Sequence, residues 1–234
     1  MNLIRPNCRD QFSSDDIDFI LESLGTADDR EVLHDLLIDP EMRDLILDQD
    51  QLRDAILEHP QFLKISPHLY FYVLVRETLQ RAGIDDRELT DYVAEVVADF
   101  SSSETRRKSL PDNVKDSSYL FEMIAALQEA DDQTAFQIRA HIGNRSLFMA
   151  GIFAENLRAR TERRGAPDIG YYEQMGAHSF REASHHRLAD EFEVGHVFEA
   201  LGDRFHETRL ALNELSERYL NVSDIEPPGS LLLN

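Results

Sequence analysis

The chain has 234 residues, with 45 acidic and 24 basic side chains and a formal charge of −21. That length suits one large domain or two small ones, and an apolar fraction of 42% is too high for a disordered chain. The charge argues against a general nucleic-acid binder, because such domains are basic, and the single Cys8 excludes an intrachain disulfide framework and a thiolate zinc site.

Helix punctuation begins early. Ser14 precedes Asp15, Asp16 and an apolar rhythm of Ile17, Ile20, Leu21 and Leu24 that stops at Gly25. Thr26 and Asp29 stand as N-cap and N3 of a second helix carrying Val32, Leu33, Leu36 and Leu37. Asp39–Pro40 supplies a cap and a first-turn proline for a third, through Leu45, Ile46 and Leu47. Asp50 opens a fourth through Leu52, Ile56 and Leu57, which must end near His59–Pro60.

Ser66–Pro67 caps a fifth helix that is apolar on nearly every face from Leu69 to Val75, with Arg76 as its first charge. A helix apolar all round belongs at the centre of a core. After Ala82–Gly83, Asp85 starts a sixth helix bearing Leu89, Tyr92, Val93, Val96, Val97 and Phe100. Residues 101–116 lose all periodicity and read as a linker, or as a long loop inside one domain. Residues 1–100 hold 23 acids and 9 bases, a charge of −14, leaving −7 for the rest, which favours a division at the linker.

Beyond it, Ser117 or Ser118 caps a helix with Leu120, Phe121, Ile124 and Leu127. Residues 134–142 and 147–157 form a helix pair or one bent helix, depending on Gly143–Asn144, and SLFMAGIF is the central segment of this half. Pro167–Asp168 restarts the chain into a helix over about 171–187, and one long helix, punctuated by Gly195 and Gly202, is expected over about 190–220. The tail over 222–234 reads as flexible or as a peptide docked by its leucines. No segment alternates with period two. The expected fold is all-α, with two packed helical subdomains over 1–100 and 117–221, each built around one central apolar helix.

The motifs IGNRSLFMAGIF (142–153) and YYEQMG (171–176), the Leu188–Ala189 to Phe192 pattern and the Leu215 to Tyr219 pattern resemble a group of uncharacterised bacterial all-helical cytoplasmic proteins. The stretch ISPHLYFYVLVRETLQRAGIDDRELTDYVAEVVADF (65–100) shares that likeness. The resemblance implies a helical fold and a bacterial cytoplasmic setting, and it carries over no activity and no site residues. Neither a secretory h-region nor an apolar run of membrane-spanning length is present, which makes the cytoplasm the expected location and excludes a membrane role.

Phosphate-cradling loops and nucleophile elbows are absent, and Lys64, Lys108 and Lys115 give no sign of a desolvated amine. One constellation bears on chemistry. Glu-x-x-His sets a carboxylate and an imidazole one turn apart on one helix face, and di-iron bundles use that pair twice. It occurs at Glu31–His34, Glu182–His185 and Glu193–His196, with Asp203–His206 as a variant. Glu182, His185, Glu193 and His196 are the candidate metal ligands, although so acidic a chain yields about two such spacings by chance. Arg158, Arg160, Arg163 and Arg164 complement a helix dipole or grip an anion. Tyr171–Tyr172 anchor a core or stack on a ligand, and Arg76 pairs with an acid, reaches the surface or serves as a buried functional charge.

The leading expectation is a non-catalytic helical interaction or regulatory module, without a cofactor, whose acidity suits a protein partner with a basic surface. The alternative is a helical-bundle metalloenzyme built on the Glu-x-x-His ligands.

Overall fold

Ser13, one residue ahead of the expected cap, opens the first helix. Its hydroxyl accepts from the Asp16 N–H at 3.2 Å while the Asp16 carboxylate accepts from the Ser13 N–H at 2.7 Å, a reciprocal capping box. Asp16 is fully buried because its other oxygen accepts from the Ser66 N–H at 2.6 Å, which ties the first helix to the start of the fifth. A computed structural model describes residues 3–25, 29–58, 64–101 and 120–220. Among them are thirteen α-helices, one short 3-10 turn (Arg9–Gln11) and no strand, so the fold is all-α as the periodicity requires.

The first four helices are α1 (Ser14–Leu24), α2 (Arg30–Ile38), α3 (Pro40–Leu47) and α4 (Asp50–Glu58). Asp39 caps α3 by accepting from the Met42 N–H at 2.9 Å, with Pro40 in the first turn, as read from the sequence. The second helix starts later than expected: Asp29 is its N-cap, not its N3 residue, and Thr26 lies outside the described residues. In α5 (Pro67–Arg81) Ser66 caps and Pro67 leads, and the run from Phe71 to Arg76 is buried on every side. For α6 (Arg87–Ser101) the cap moves one place from the expected Asp85: Asp86 accepts from the Leu89 N–H at 2.9 Å, and Asp85 is drawn instead to Arg76 at 2.5 Å.

The remaining helices are α7 (Leu120–Ala126), α8 (Asp132–Ile152), α9 (Ala154–Arg164), α10 (Ile169–Ser184), α11 (Arg187–Glu191), α12 (Gly195–Asp203) and α13 (Phe205–Tyr219). From Ala140 to Ile152 every residue of α8 except the half-buried Arg145 is buried, so this is the central element foreseen in SLFMAGIF. Gly143–Asn144 does not break it. A Cβ on Gly143 would sit 2.7 Å from the Phe180 ring, so the glycine serves the close approach of α10. Asn144 Oδ1 accepts from the Tyr92 hydroxyl at 2.8 Å, a buried bond that joins α6 to α8. The turn comes after Ile152. There the Asn213 amide donates to the Ala150 and Gly151 carbonyls and Ser216 Oγ donates to the Ile152 carbonyl at 2.8 Å, which satisfies carbonyls that a helix end leaves open.

The single long helix expected over 190–220 is corrected to three, α11, α12 and α13. The first break is at Glu193, a left-handed residue with φ of 56°, and the second at Arg204, whose guanidinium donates to the Gly83 carbonyl at 3.1 Å. Leu188, Val194, Val197, Phe198, Leu201 and Phe205, on either side of the breaks, are all buried. Gly195 and Gly202 lie within α12, and Gly202 is small because α10 passes there, with Arg181 Cγ 2.5 Å from where a Cβ would be.

The main core contains Leu74 and Tyr92 from the first half and Phe148, Phe180 and Phe198 from the second without interruption. A smaller cluster of Leu120, Met123, Ile138 and Ile142 lies under α7. The linker expected over 101–116, apart from Ser101 at the end of α6, and the tail over 222–234 lie outside the described residues. No helix of the described residues is long and apolar enough to cross a membrane.

Candidate interaction surface

Glu182, His185, Glu193 and His196 are all exposed, and the structure does not bring them together. Glu182 lies 3.9 Å from Arg139, His196 pairs with Glu88 of α6, and Glu193 occupies the left-handed turn after α11. The other spaced pairs are likewise diverted. His206 Nδ1 and Arg209 Nε share Glu173 Oε1 at 2.9 and 2.6 Å, Asp203 takes Arg181, and His34 lies 4.0 Å from its neighbour Asp35. Among the described residues no group of three or more His, Cys, Asp or Glu side chains is arranged to hold a metal ion. The double substitution Glu182→Ala with His185→Ala should therefore change stability by less than about 1 kcal/mol in a urea melt, as exposed positions usually do.

The remaining sequence candidates have definite places. Arg76 is 3% exposed and grips Asp48 through Nε and Nη2 at 3.1 and 3.2 Å. Arg87 donates to the same carboxylate at 2.7 Å, and Arg9 joins Asp44 to Asp91. Burial would raise the Asp48 carboxyl, but hydrogen bonds from Arg76 and Arg87 hold it below the usual carboxylate range. This alternation of arginine and aspartate binds α3, α5, α6 and the 3-10 turn into one unit. Arg158 pairs with Glu155 in its own helix and borders a shallow groove shared with Glu162 and Asp168, whose charges weaken any grip on an anion. Tyr171 and Tyr172 meet edge to face at 6.0 Å and pack on the small cluster under α7.

One surface stands apart in the other half. Val32 is 63% exposed, Ile38 71% and Leu45 55%, and Leu36 and Met42 are 37% each. All five belong to α2 and α3, and only Leu37 of α2 is buried. Scattered exposed leucines are ordinary, but Leu36, Met42 and Leu45 share one groove between the two helices. Leu24 at the end of α1, Leu33 and Leu36 of α2, and Met42, Leu45 and Ile46 of α3 line a groove of about 300 Å³, together with Gln49 and Gln51.

The groove lies in the most acidic part of the chain. Residues 14–58 contain 15 acids and 3 arginines, a charge of −12. Each arginine is already engaged: Arg30 with Asp18 and Glu22, Arg43 with Asp10, and Arg53 with Asp50, Asp54 and Glu77. Glu31 and Glu41, next in sequence to Val32 and Met42, are exposed and have no ion-pair partner among the described residues. Helical periodicity puts Val32, Leu36 and Leu45 on apolar faces, and in the structure these side chains stay exposed. The signal was available in EVLHDLLI, where five apolar residues in eight exceed one stripe of a short helix. Comparison with family models, curated proteins and solved structures finds no match to this chain.

Proposed function

We propose that this chain is a non-catalytic helical interaction or regulatory module, working in a bacterial cytoplasm, that acts by binding another protein across α2 and α3. The observation that carries this reading is the open apolar groove between these helices, in a segment whose net charge over residues 14–58 is −12. Burying apolar surface contributes roughly 25 cal/mol per Å², so a contiguous patch left in water is a standing source of binding energy for a matching partner. Strong acidity raises the encounter rate with a basic surface and disfavours acidic ones.

The test uses the full chain and its Leu36→Asp, Leu45→Asp double variant as immobilised baits. Both positions are exposed, so the variant should keep the helical circular dichroism and melting temperature of the parent. The parent should retain at least one protein from its own cell extract that the variant loses at least tenfold. Equal retention by the two baits, or none by either, would remove this reading.

A further inference from the structure

Resting on the binding role proposed above, we infer that the occupant of the α2–α3 groove is a basic amphipathic helix of another protein, with its apolar stripe on the groove floor and its lysines or arginines turned toward the surrounding acidic segment, which carries −12 over residues 14–58. Three observations select this class.

The first is the backbone. Among the described residues there is no strand, so there is no free sheet edge to which an extended peptide could add. A helix satisfies its own N–H and C=O groups and needs only a furrow between helices, which Leu33, Leu36, Met42, Leu45 and Ile46 provide.

The second is charge. A second copy of this chain would set −12 against −12 over residues 14–58, and repulsion of that size works against self-association through this face. Anionic lipid and nucleic acid are repelled for the same reason. A neutral apolar helix would cover the floor but gain nothing from the net charge of −12 over residues 14–58, whereas a basic helix draws on both.

The third is the lack of a competing local cation. Arg30, Arg43 and Arg53 are spent on Asp18, Glu22, Asp10, Asp50, Asp54 and Glu77. A partner's basic side chains therefore meet little repulsion from this chain's own arginines.

The experiment is fluorescence anisotropy of the full-length chain with three labelled synthetic 18-residue peptides. One carries leucines at helical i, i+3, i+4 and i+7 spacing with lysine and arginine elsewhere. The second has the same composition scrambled to destroy the stripe, and the third keeps the leucine spacing with glutamate for the bases. The first should bind at least tenfold more tightly than either control. Raising salt from about 0.05 to 0.5 M should weaken it several-fold, since the Debye length then shrinks below about 5 Å. Leu36→Asp with Leu45→Asp should weaken it at least tenfold, although the added negative charge alone would strengthen it. Glu31→Lys with Glu41→Lys should weaken it while leaving the apolar floor intact.

Equal binding of the first two peptides would mean charge attraction without a seat in the groove, and would overturn the inference. Preference for the acidic peptide, or a chain that is dimeric through this face at micromolar concentration, would overturn it too. Either outcome leaves the extract experiment above to judge the broader binding role separately. Binding by none of the three peptides overturns the basic-helix assignment, and the broader role falls only if the two baits also behave alike.

Discussion

Asp48→Ala should destabilise the protein by about 3–5 kcal/mol, because removing one member of a buried ion pair leaves the other charge without compensation. The stranded group is Arg76, 3% exposed in the middle of α5, whose Nη1 already lacks a hydrogen-bond partner. Its other carboxylate, Asp85, has a side chain 79% exposed, and its attraction is correspondingly screened. The contrast between the two partners is the sharper measurement. Asp85→Ala should cost less than about 1 kcal/mol although it also removes a hydrogen bond to Arg76. For a chain of this size the Asp48 loss corresponds to a fall in Tm of roughly 10 °C. Equal effects of the two substitutions in urea melts would mean that the arginine–aspartate array contributes nothing beyond surface pairing. The same array sets an acid limit. Asp48 is held below the usual carboxylate range in the folded chain, so its contribution is present above pH 4 and is lost as pH falls through its folded value.

A second loss should begin at higher pH and come from His141. Its imidazole is buried on α8, with the Phe100 ring 5.6 Å away and its Nε2 without a partner. Burial, and then the Arg145 charge one turn along, push its pKa down to about 3. Unfolded, the ring takes a proton from about pH 6.5 downward, and folded it does not. Stability is therefore complete above pH 6.5 and declines as the pH falls toward 3, by about 3 kcal/mol between pH 7 and pH 4.

Asp99 opposes part of this. Burial, and then Glu95, raise its carboxyl to about 6, so its unfavourable contribution at neutral pH is relieved as pH falls through 6. His141→Leu should flatten the profile between pH 6.5 and 4. Asp99→Asn should steepen it and raise stability at pH 7 by about 1 kcal/mol, a value reduced for solvent screening. Urea melts at pH 7, 5.5 and 4 on the three proteins decide the matter: a His141→Leu slope equal to the parent's would show that the imidazole is charged, or reached by water, in the folded chain.

Much of the architecture was local and so was legible before any tertiary structure. The Asp39–Pro40 and Ser66–Pro67 starts, the restart at Pro167–Asp168, where Asp168 accepts from the Tyr171 N–H at 2.8 Å, and the all-α class depend on residues within one or two turns of each other. Apolar residues on every face around Tyr72 and Phe148 likewise announced two central helices, and both side chains are fully buried. Errors arose where a local signal had two equivalent users. Asp85 and Asp86 are both competent caps, and the choice was made by Arg76, nine residues away, which claims Asp85. Gly195 and Gly202 read as punctuation of a long helix, yet the breaks fall at Glu193, which is left-handed, and at Arg204, whose guanidinium donates to the Gly83 carbonyl far away in the chain.

The candidate surface shows the same division most clearly. Sequence by itself determined that Val32, Leu36, Ile38 and Leu45 are apolar, that α2 and α3 are short, and that residues 14–58 are the most acidic part of the chain. Only the tertiary structure decided that these side chains remain in water while Leu37, Ile46 and Leu47 beside them are buried. The reason is geometric. Hydrophobic periodicity reports which face of a helix gains by leaving water, but whether a neighbour exists to cover that face depends on packing between segments far apart in the chain. Here α1 packs against α2, and among the described residues the chain leaves the groove between α2 and α3 open.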